Sequence, residues 1–397
     1  MSPLFRLARR FLAPTLLVLA CTWGLAGCAT RTAAVSNELL PFDQAIAVAT
    51  DALVQQTGGL SALSAKLSQR TVVLDPTLDA STGQQTAATQ QLDRELAARI
   101  ARNPPGIAVL PFESSNLAQA QYLLAGTLAR AANGYRVNLA LVDLKSATVV
   151  AQSSALAAAR SVDMSPLPYY RDSPVLVRDK VIDGYVATSG MPPGTRADPA
   201  YIERIASATV INDATMLYNA ARYREALGQY RSALAMPAGD QIRALTGVYL
   251  SAVKLGQPAA AEEAFGRLVG FGIASNNLSV KFLFNPGSTE FWSDARVSTP
   301  YAMWVRQIAK QANAAKVCME IVGHTSKTGT EAVNDSLSLR RANTIRQRLG
   351  AESTELAKRT RTQGMGARQT IVGSGTDDLV DAPDRRVEFA IVECERS

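Results

Sequence analysis

Residues 323–342 read GHTSKTGTEAVNDSLSLRRA and hold the strongest structural signal in the chain. They follow residues 317–322, a short and mostly apolar run that is typical of a buried strand. Thr328 and Glu331 stand three residues apart, a spacing that predicts a capping box opening a helix. Apolar residues on that helix predict one stripe facing a core. The stripe contains Val333, Leu337, Ile345 and Leu349.

Arg341 falls on the same stripe, where a guanidinium is costly unless acceptors meet it. Asn334, Leu337 and Arg341 are spaced i, i+3 and i+7, so their side chains project from one side of the helix. That side can meet the end of the preceding strand and the turn at Ser326. A guanidinium fork, an amide and a hydroxyl-bearing turn together predict a receptor for a small zwitterion.

The spacing resembles the C-terminal peptidoglycan-binding domain of OmpA-like proteins, whose signature runs G-x-T-D and then N-x-x-L-S-x-x-R-A. Further matching pieces are FLFN at 282–285 with Gly287-Ser288, GMG at 364–366 and DRRVE at 384–388. The resemblance covers about residues 278–394. Several separated motifs in the right order are far more specific than a single short pattern. Together with the alternation of strands and helices, they predict helices layered on a mixed sheet.

In that family the arginine holds the carboxylate of diaminopimelate in the wall peptide, and the aspartate of T-D holds its ammonium group. Here the arginine is present as Arg341, but Ser326 stands at the aspartate position. Asp377 or Asp378 is a candidate substitute for that carboxylate. The resemblance places the residues that bind the peptide at Ser326, Asn334, Leu337, Arg341, Asn285 and Arg385.

Two more modest interpretations of this region remain open. Arg341 could be a structural arginine that is satisfied by Asp384 or Glu388 within the domain. His324 is the only histidine in the chain, so no second histidine exists to build a metal site or a Ser/His pair. We therefore expect His324 to pack against or cap the end of the strand.

The first 28 residues predict export and lipid attachment. Three arginines precede an apolar run at 11–20, and Leu25-Ala26-Gly27-Cys28 then resembles a bacterial lipobox. The resemblance implies a signal peptide over residues 1–27, acylation (palmitate) of Cys28 and a tether over 28–40. Ala29 follows the cysteine, and the absence of aspartate there goes with export to the outer membrane. We expect a lipid-anchored protein that faces the periplasm.

Composition agrees with a folded, exported protein. The chain has 397 residues, 47% hydrophobic and 19% charged, which is enough for two or three cores. The signal-peptide arginines supply three of the formal +7 charges, which leaves +4 for the mature chain. That surplus suits an anionic wall or membrane surface and gives no case for nucleic acid. Cys318 begins a predicted strand and Cys394 ends the last one, so they are a candidate disulfide if those strands are antiparallel neighbours.

Residues 41–155 predict a small α/β periplasmic domain. Helical patterns lie at 42–54 and 86–102, and strand patterns lie at 71–74, 107–110, 122–128, 135–144 and 148–153. This order resembles the periplasmic domain of curli-secretion lipoproteins and of lipoproteins that activate penicillin-binding proteins, with the phrases LAGT at 124–127 and LVD at 141–143. The resemblance implies a protein-binding module; a structural spacer of the same fold is the alternative.

The middle of the chain predicts a linker followed by helical repeats. Prolines and glycines are dense in residues 156–198, which favours an extended, semi-rigid connector. Residues 199–272 are helical, and Ala226 and Ala261 stand at matching positions 35 residues apart, close to the period of tetratricopeptide (TPR) repeats. The C-terminal domain is then expected at 278–397. The fold class is thus multidomain α+β: a small α/β domain, TPR-like helices and an OmpA-like α/β domain with a mixed sheet.

The inventory of residues argues against an enzyme. The chain has one histidine, no phosphate-binding Gly-Lys-Ser/Thr loop and no paired-ligand metal spacing, so we predict no catalytic residue, metal or cofactor. The leading hypothesis is an outer-membrane lipoprotein that grips peptidoglycan and positions protein-binding modules in the periplasm. The alternative is a regulatory or secretion-accessory lipoprotein that acts on an unidentified periplasmic protein, with wall binding secondary.

Overall fold

The computed structural model describes residues 34–58, 70–102, 107–373, 375 and 381–394. The predicted signal peptide and the predicted lipidation site at Cys28 lie outside these residues. The described part is multidomain α+β, as the sequence predicted. It comprises an N-terminal mixed sheet, a helical middle region and a C-terminal mixed sheet.

The N-terminal sheet is ordered β1-β7-β6-β5-β2-β4, with the short β3 paired to β5. Long antiparallel ladders join β5 to β6 and β6 to β7. The other pairs are parallel: β1 with β7, β2 with both β4 and β5, and β3 with β5. Its described elements, in chain order, are β1 (Ala34–Leu40), α1 (Phe42–Gly58), β2 (Arg70–Leu74), β3 (Leu78–Asp79), α2 (Ala87–Arg102), β4 (Ile107–Pro111), α3 (Ser114–Leu117), β5 (Tyr122–Ala131), β6 (Gly134–Asp143) and β7 (Thr148–Ala158).

Successive side chains of a strand point to opposite sides of a sheet, and here the side chains on both sides are buried. On β6, Leu139 faces a core that includes the apolar sides of α1 and α2. Its neighbour Ala140 faces a second core with Leu123 and Tyr185. The helices predicted at 42–54 and 86–102 and the strands predicted in this region are therefore confirmed, with bounds shifted by a few residues.

Two parts of the chain that were predicted to be extended connectors are instead built into the domain. Residues 34–40 of the predicted tether form β1, whose side chains at Val35 and Leu39 are 57% and 48% exposed. An edge strand is held by backbone hydrogen bonds to its one neighbour, here β7. Its side chains therefore need not alternate between buried and exposed positions, and the sequence gives little sign of a strand. Residues 156–198 contain α4 (Pro168–Asp172) and α5 (Lys180–Gly190), where the expectation of an extended linker was wrong. The prolines lie at helix starts or outside α5 rather than within it.

Helix α5 covers the second face of the sheet with apolar side chains. Its N-cap, Asp179, accepts hydrogen bonds from the backbone N–H groups of Val181 and Ile182. Ile182 and Tyr185 are 1% and 2% exposed and pack into the second core of the sheet. The Tyr185 hydroxyl donates to the carbonyl of Gly126 on β5 at 2.8 Å. The segment is therefore a layer of the domain.

The helical middle region consists of consecutive helices in which one spacing of 35 residues recurs. Helices α8 and α10 begin 35 residues apart. The turns before them hold Ala221 and Gly256, also 35 residues apart, at φ angles of 58° and 65°. The assignment of this period to tetratricopeptide repeats remains a prediction. The helices are α6 (Pro199–Ile202), α7 (Ile205–Asn219), α8 (Tyr223–Ala235), α9 (Ile242–Lys254) and α10 (Pro258–Ala274).

One hydrophobic core runs from these helices into the C-terminal region. Phe265 of α10 stacks on Trp304 with ring centroids 5.4 Å apart. The Trp304 indole N–H donates to the Tyr249 hydroxyl of α9 at 2.8 Å. Tyr169 and Tyr170 of α4 belong to the same core. The helical region and the C-terminal sheet therefore share buried surface.

The C-terminal sheet is mixed, with the order β10-β9-β11-β8. β9 and β10 are parallel, and β11 is antiparallel to both β9 and β8. The predicted strand at 317–322 and the mixed sheet are confirmed. The elements are β8 (Leu278–Val280), α11 (Ala295–Ser298), α12 (Tyr301–Ala314), β9 (Cys318–Gly323), α13 (Glu331–Glu352), α14 (Thr354–Lys358), β10 (Thr360–Gly364) and β11 (Val387–Val392).

The start of α13 differs from the predicted capping box. Its N-cap is Thr330, whose side chain accepts a hydrogen bond from the backbone N–H of Val333. The Thr328 hydroxyl instead lies 3.0 Å from the Ser326 hydroxyl. Val333 is 55% exposed, so the predicted apolar stripe begins only at Leu337. Two threonines at nearby positions both fit the cap, and only the path of the turn selects between them.

Cys318 and Cys394 are joined in a disulfide, with Cα atoms 5.2 Å apart. The antiparallel ladder between β9 and β11 places Val392 opposite Cys318. Cys394 follows two residues beyond, and the bond closes a sequence separation of 76 residues. A loop of that length is expected to make the bond stabilising by about 2–4 kcal/mol.

Close approach explains the glycine that ends β9. A Cβ atom at Gly323 would lie 2.1 Å from the backbone carbonyl oxygen of Ser338 on α13. The Ser338 hydroxyl also accepts a hydrogen bond from the backbone N–H of Gly366 at 2.9 Å. The glycines at the strand ends therefore let α13 lie directly against the sheet. This contact fixes the distance between α13 and the sheet, and therefore the position of the buried polar side chains of the helix.

Gly323→Ala should destabilise the protein by about 3 kcal/mol, the upper end of the usual cost of overpacking. The carbonyl that the new methyl meets is fixed in the helix backbone and cannot rotate away. Urea unfolding followed by circular dichroism measures the change. Gly228→Ala in α8 is the matched control, because its Cβ would meet no heavy atom within 4 Å. Equal unfolding midpoints for the two variants would contradict the close approach.

Candidate functional site

Arg341 is the central residue of the candidate site. It lies on the third turn of α13 and is only 2% exposed. Its Nε donates to the carbonyl of Ser288 at 3.0 Å, and its Nη2 donates to the carbonyl of Asn285 at 3.1 Å. The guanidinium carbon lies 5.0 Å from the ring centroid of Phe284. Two carbonyls and an aromatic face therefore fix the plane of the guanidinium.

The carbonyls come from a tight loop that follows β8. Gly287 adopts a φ of 64°, and the backbone N–H of Ser288 donates to the Asn285 carbonyl. The Asn285 side-chain oxygen accepts a hydrogen bond from the backbone N–H of Ser293 at 3.1 Å. Asn285 was predicted as a ligand-binding residue. In the structure its side chain braces the loop, and its carbonyl holds Arg341.

The two carboxylates offered as structural partners of Arg341 are both engaged elsewhere. Asp384 is fully buried and accepts hydrogen bonds from the backbone N–H groups of residues 371–373 at 2.5–2.8 Å. Glu388 contacts Arg386 at 2.7 Å and His324 at 3.4 Å. The interpretation of Arg341 as an arginine satisfied by Asp384 or Glu388 is therefore wrong. Among its contacts are the backbone carbonyls of Asn285 and Ser288.

The other predicted residues of α13 and the preceding turn are all buried. Ser326, Asn334 and Leu337 are 3%, 5% and 6% exposed. The Ser326 hydroxyl pairs with that of Thr328, so this position carries a neutral hydrogen-bonding group. The main chain joins the turn to the end of β10, because the N–H of Thr325 donates to the carbonyl of Gly366 at 3.0 Å.

Arg385 lies between a 3-10 turn (Ala382–Asp384) and β11. It is 1% exposed, and its guanidinium carbon lies 5.7 Å from the ring centroid of Trp292. Trp292 follows the loop that holds Arg341, and its backbone N–H donates to the carbonyl of Leu283. The structure therefore brings Asn285 into contact with Arg341 and places Arg385 beside the end of the same loop.

Several residues that shape this site were not predicted as site residues. Ser288 contributes a carbonyl, Phe284 a ring face, and Asp384 holds the backbone of residues 371–373. The sequence carried a signal for all three, since Phe284, Ser288 and Asp384 each belong to one of the quoted motif pieces. A carbonyl contact leaves no mark on residue type, however, so its role could not be predicted.

His324 packs at the end of β9, as expected. It is 1% exposed, and its backbone N–H donates to the carbonyl of Arg386. Burial lowers the pKa of the imidazole, against the opposing influence of Glu388. Burial alone would raise the pKa of Glu388, but His324 and Arg386 outweigh it and lower that pKa to about 2. The imidazole is therefore neutral beside an ionised carboxylate.

The stability of the protein should fall as the pH drops below about 6.5, with His324 as one cause. The unfolded chain takes up a proton there, while the lowered pKa keeps the folded imidazole neutral. Glu388 acts in a lower window, since its contribution is lost only between its ordinary pKa and about 2. Urea unfolding of the native protein and of His324→Gln between pH 7.5 and 5 tests this. Parallel pH profiles for the two proteins would contradict it.

Two further searches of the described residues bear on the site. They contain no group of three or more His, Cys, Asp or Glu side chains that could hold a metal ion. Within the same ranges, every helix is too short or too polar to span a membrane.

The C-terminal region combines a four-stranded mixed sheet with the long helix α13, which carries the buried Arg341. Residues 283–382 match the model of the OmpA family. Residues 111–162, which run from the end of β4 through β7, match the model of the FlgO protein family. No curated protein matches the chain.

Solved structures similar to this chain match it over 29% of its length. One is the peptidoglycan-associated lipoprotein from Burkholderia pseudomallei, 21% identical over 89% of that chain, with a TM-score of 0.23. Another is the periplasmic domain of MotB from Helicobacter pylori, 18% identical over 73% of that chain, with a TM-score of 0.24. A third is the cell wall anchor of the T6SS from Pseudomonas aeruginosa, 22% identical over 80% of that chain, with a TM-score of 0.24.

Proposed function

We propose that this protein is a lipoprotein of the outer membrane that binds peptidoglycan non-covalently through its C-terminal domain. The observation that carries the proposal is the setting of Arg341. It is buried, it is oriented by two neutral carbonyls, and it belongs to a segment that matches the OmpA family. The guanidinium is the group that receives the carboxylate of the diaminopimelate residue in the wall peptide.

The chemistry favours a carboxylate over a neutral ligand. A guanidinium presents its N–H donors in a fixed plane, and a carboxylate accepts two of them at once. Because the loop carbonyls already fix that plane, the ligand loses little side-chain entropy in ordering the arginine. Asn334 and Leu337 lie on the same side of α13 and flank the position of the ligand.

The anchor and the middle of the chain complete the proposal. Acylated Cys28 holds the protein to the outer membrane, facing the periplasm. The N-terminal sheet domain and the TPR-like helices offer surfaces to a periplasmic protein partner. The core shared by α9, α10 and α12 supports a fixed, not a freely tethered, placement of these surfaces relative to the wall.

Purified sacculi provide the direct test. The chain from residue 29 onward, without signal peptide or lipid, should sediment with sacculi in a concentration-dependent manner. Free diaminopimelate-containing peptide should compete. The whole soluble chain is preferable to a fragment ending near residue 270, because truncation there would expose the shared core. A protein that stays in the supernatant at all concentrations would refute the proposed wall binding.

Ser326→Asp should strengthen binding to a diaminopimelate-containing peptide by about tenfold, or about 1.4 kcal/mol. A serine offers a ligand ammonium only a neutral acceptor, whereas an aspartate adds a charged hydrogen bond. A buried carboxylate without a partner is unfavourable, so the free variant should also be less stable than the native protein.

Titration of one muropeptide against the native protein and the variant measures the change. Ser326→Asn is the matched control, since it adds similar volume without charge. A gain that is equal for the two variants would show that the charge is irrelevant. No gain for Ser326→Asp would indicate that another carboxylate, such as Asp377 or Asp378, already receives the ammonium group.

A further inference from the structure

A cleft of about 320 Å³ lies where the N-terminal domain, the helical region and the C-terminal domain meet. Its walls come from α4, α9, α12 and the segment after β8. The volume is near the lower end of the range for small-molecule sites. Arg341 is not among its lining residues. The cleft is thus separate from the proposed wall-binding site.

Lys281 is a buried lysine that lines this cleft. It directly follows β8, is 8% exposed, and its backbone N–H donates to the carbonyl of Pro174. Its ammonium donates to the carbonyl of Tyr170 at 3.0 Å. The described residues offer its three N–H donors no second acceptor. Burial lowers the pKa of this amine to about 8, although Asp172 opposes the shift. A buried cation with one protein acceptor among the described residues therefore lines the cleft.

The charges around Lys281 do not compensate it. Among the residues that the structure describes, Asp172 is the only acidic one that lines the cleft, beside the basic Arg171, Lys254 and Arg296. Its carboxylate is already shared by Lys254 at 2.9 Å, the Tyr218 hydroxyl at 2.9 Å and Arg171 at 3.2 Å. Burial raises the pKa of Asp172, but these partners outweigh it and hold that pKa below its usual value. The cleft keeps an excess of positive charge.

The remaining wall is apolar and aromatic. Trp304, Tyr301 and Tyr249 pack edge to face or tilted, with ring centroids 4.8–6.5 Å apart. Leu250 and Leu283 line the same space. Such a wall favours an apolar body, while the ammonium favours an anionic head.

We propose that this cleft binds a small amphipathic anion, namely a carboxylate or phosphate monoester attached to a compact apolar group. The Lys281 ammonium receives the anionic head, and the wall formed by Trp304, Tyr301, Leu250 and Leu283 receives the apolar part. A bound ligand touches α4, α9 and the C-terminal domain at once. It therefore stabilises the junction between the domains in proportion to its occupancy.

Calorimetric titration of the soluble chain from residue 29 with octanoate and with octyl phosphate tests the proposal. At least one of the two should bind, and the better one identifies the head group. Octanol and octyltrimethylammonium carry the same tail without the negative charge, and each should bind at least tenfold more weakly. Equal binding of octanol would show a purely apolar cleft and overturn the proposal. Failure of both anions to bind would overturn it too.

Lys281→Met should weaken binding of the better anion at least tenfold. Methionine keeps the volume and removes the charge, so the fold should be retained. Thermal unfolding and sacculus binding of the variant check this, and both should match the native protein. Lys358→Met in α14 is the matched control, because the Lys358 side chain is 71% exposed, pairs with Glu355 and does not line the cleft. Undiminished binding by Lys281→Met, or an equal loss in the control, would overturn the assignment to Lys281.

Discussion

Arg341→Ala should weaken binding to purified sacculi about ten- to a hundredfold. The loss corresponds to one charge-assisted contact worth about 1.5–3 kcal/mol. The structure strengthens the expectation, because the carbonyls of Asn285 and Ser288 orient the guanidinium before any ligand arrives. Sedimentation with sacculi, and titration of a single muropeptide, measure the loss.

The adjacent residue provides a control for this variant. Arg340 is exposed and donates to the Ser336 hydroxyl, so Arg340→Ala removes an equal charge from the same helix. It should bind sacculi within about twofold of the native protein. Arg341→Lys separates orientation from charge, since an ammonium cannot serve two carbonyls and a carboxylate in one plane. It should recover only part of the affinity.

Stability must be followed in parallel, because Arg341 also ties α13 to the loop after β8. Loss of its hydrogen bonds to the carbonyls of Asn285 and Ser288 should lower the free energy of unfolding by about 1–3 kcal/mol. A variant that remains folded at the assay temperature and still binds sacculi like the native protein would make Arg341 purely structural. The proposed peptidoglycan-binding role of this domain would then fail.

Cys28→Ser should abolish attachment to the outer membrane. Several acyl chains contribute about 0.8 kcal/mol for each buried methylene, and a serine accepts none of them. The precursor should stay uncut, and mature protein should disappear from outer-membrane fractions. Fractionation and intact-mass analysis distinguish these states.

The predicted signal peptide holds a second cysteine, Cys21, that serves as the control. Cys21→Ser changes the same chemical group within the apolar run and should leave cleavage, acylation and fractionation unchanged. Normal outer-membrane fractionation of Cys28→Ser would remove the lipid anchor from the proposal. The binding of the C-terminal domain to peptidoglycan would not be affected by that result, since it rests on Arg341.

Patterns that repeat within a single element were readable from the sequence. The helical pattern at 86–102 reflects the apolar face of α2, and the 35-residue spacing recurs between the starts of α8 and α10. The pairing of Cys318 with Cys394 was also accessible, because it needed only the assumption that two predicted strands are antiparallel neighbours. These are short-range or pairwise features.

The sequence by itself determined the layered α+β character, the strand before residue 323 and the burial of Arg341 on the apolar side of α13. Only the tertiary structure decided what meets that arginine, because backbone carbonyls are the same at every residue type. It also decided that residues 34–40 become an edge strand and that residues 180–190 become a covering helix. An edge strand takes its hydrogen bonds from a neighbouring strand, and a covering helix takes its stability from the face it buries. Both depend on partners distant in the chain, which local sequence cannot specify.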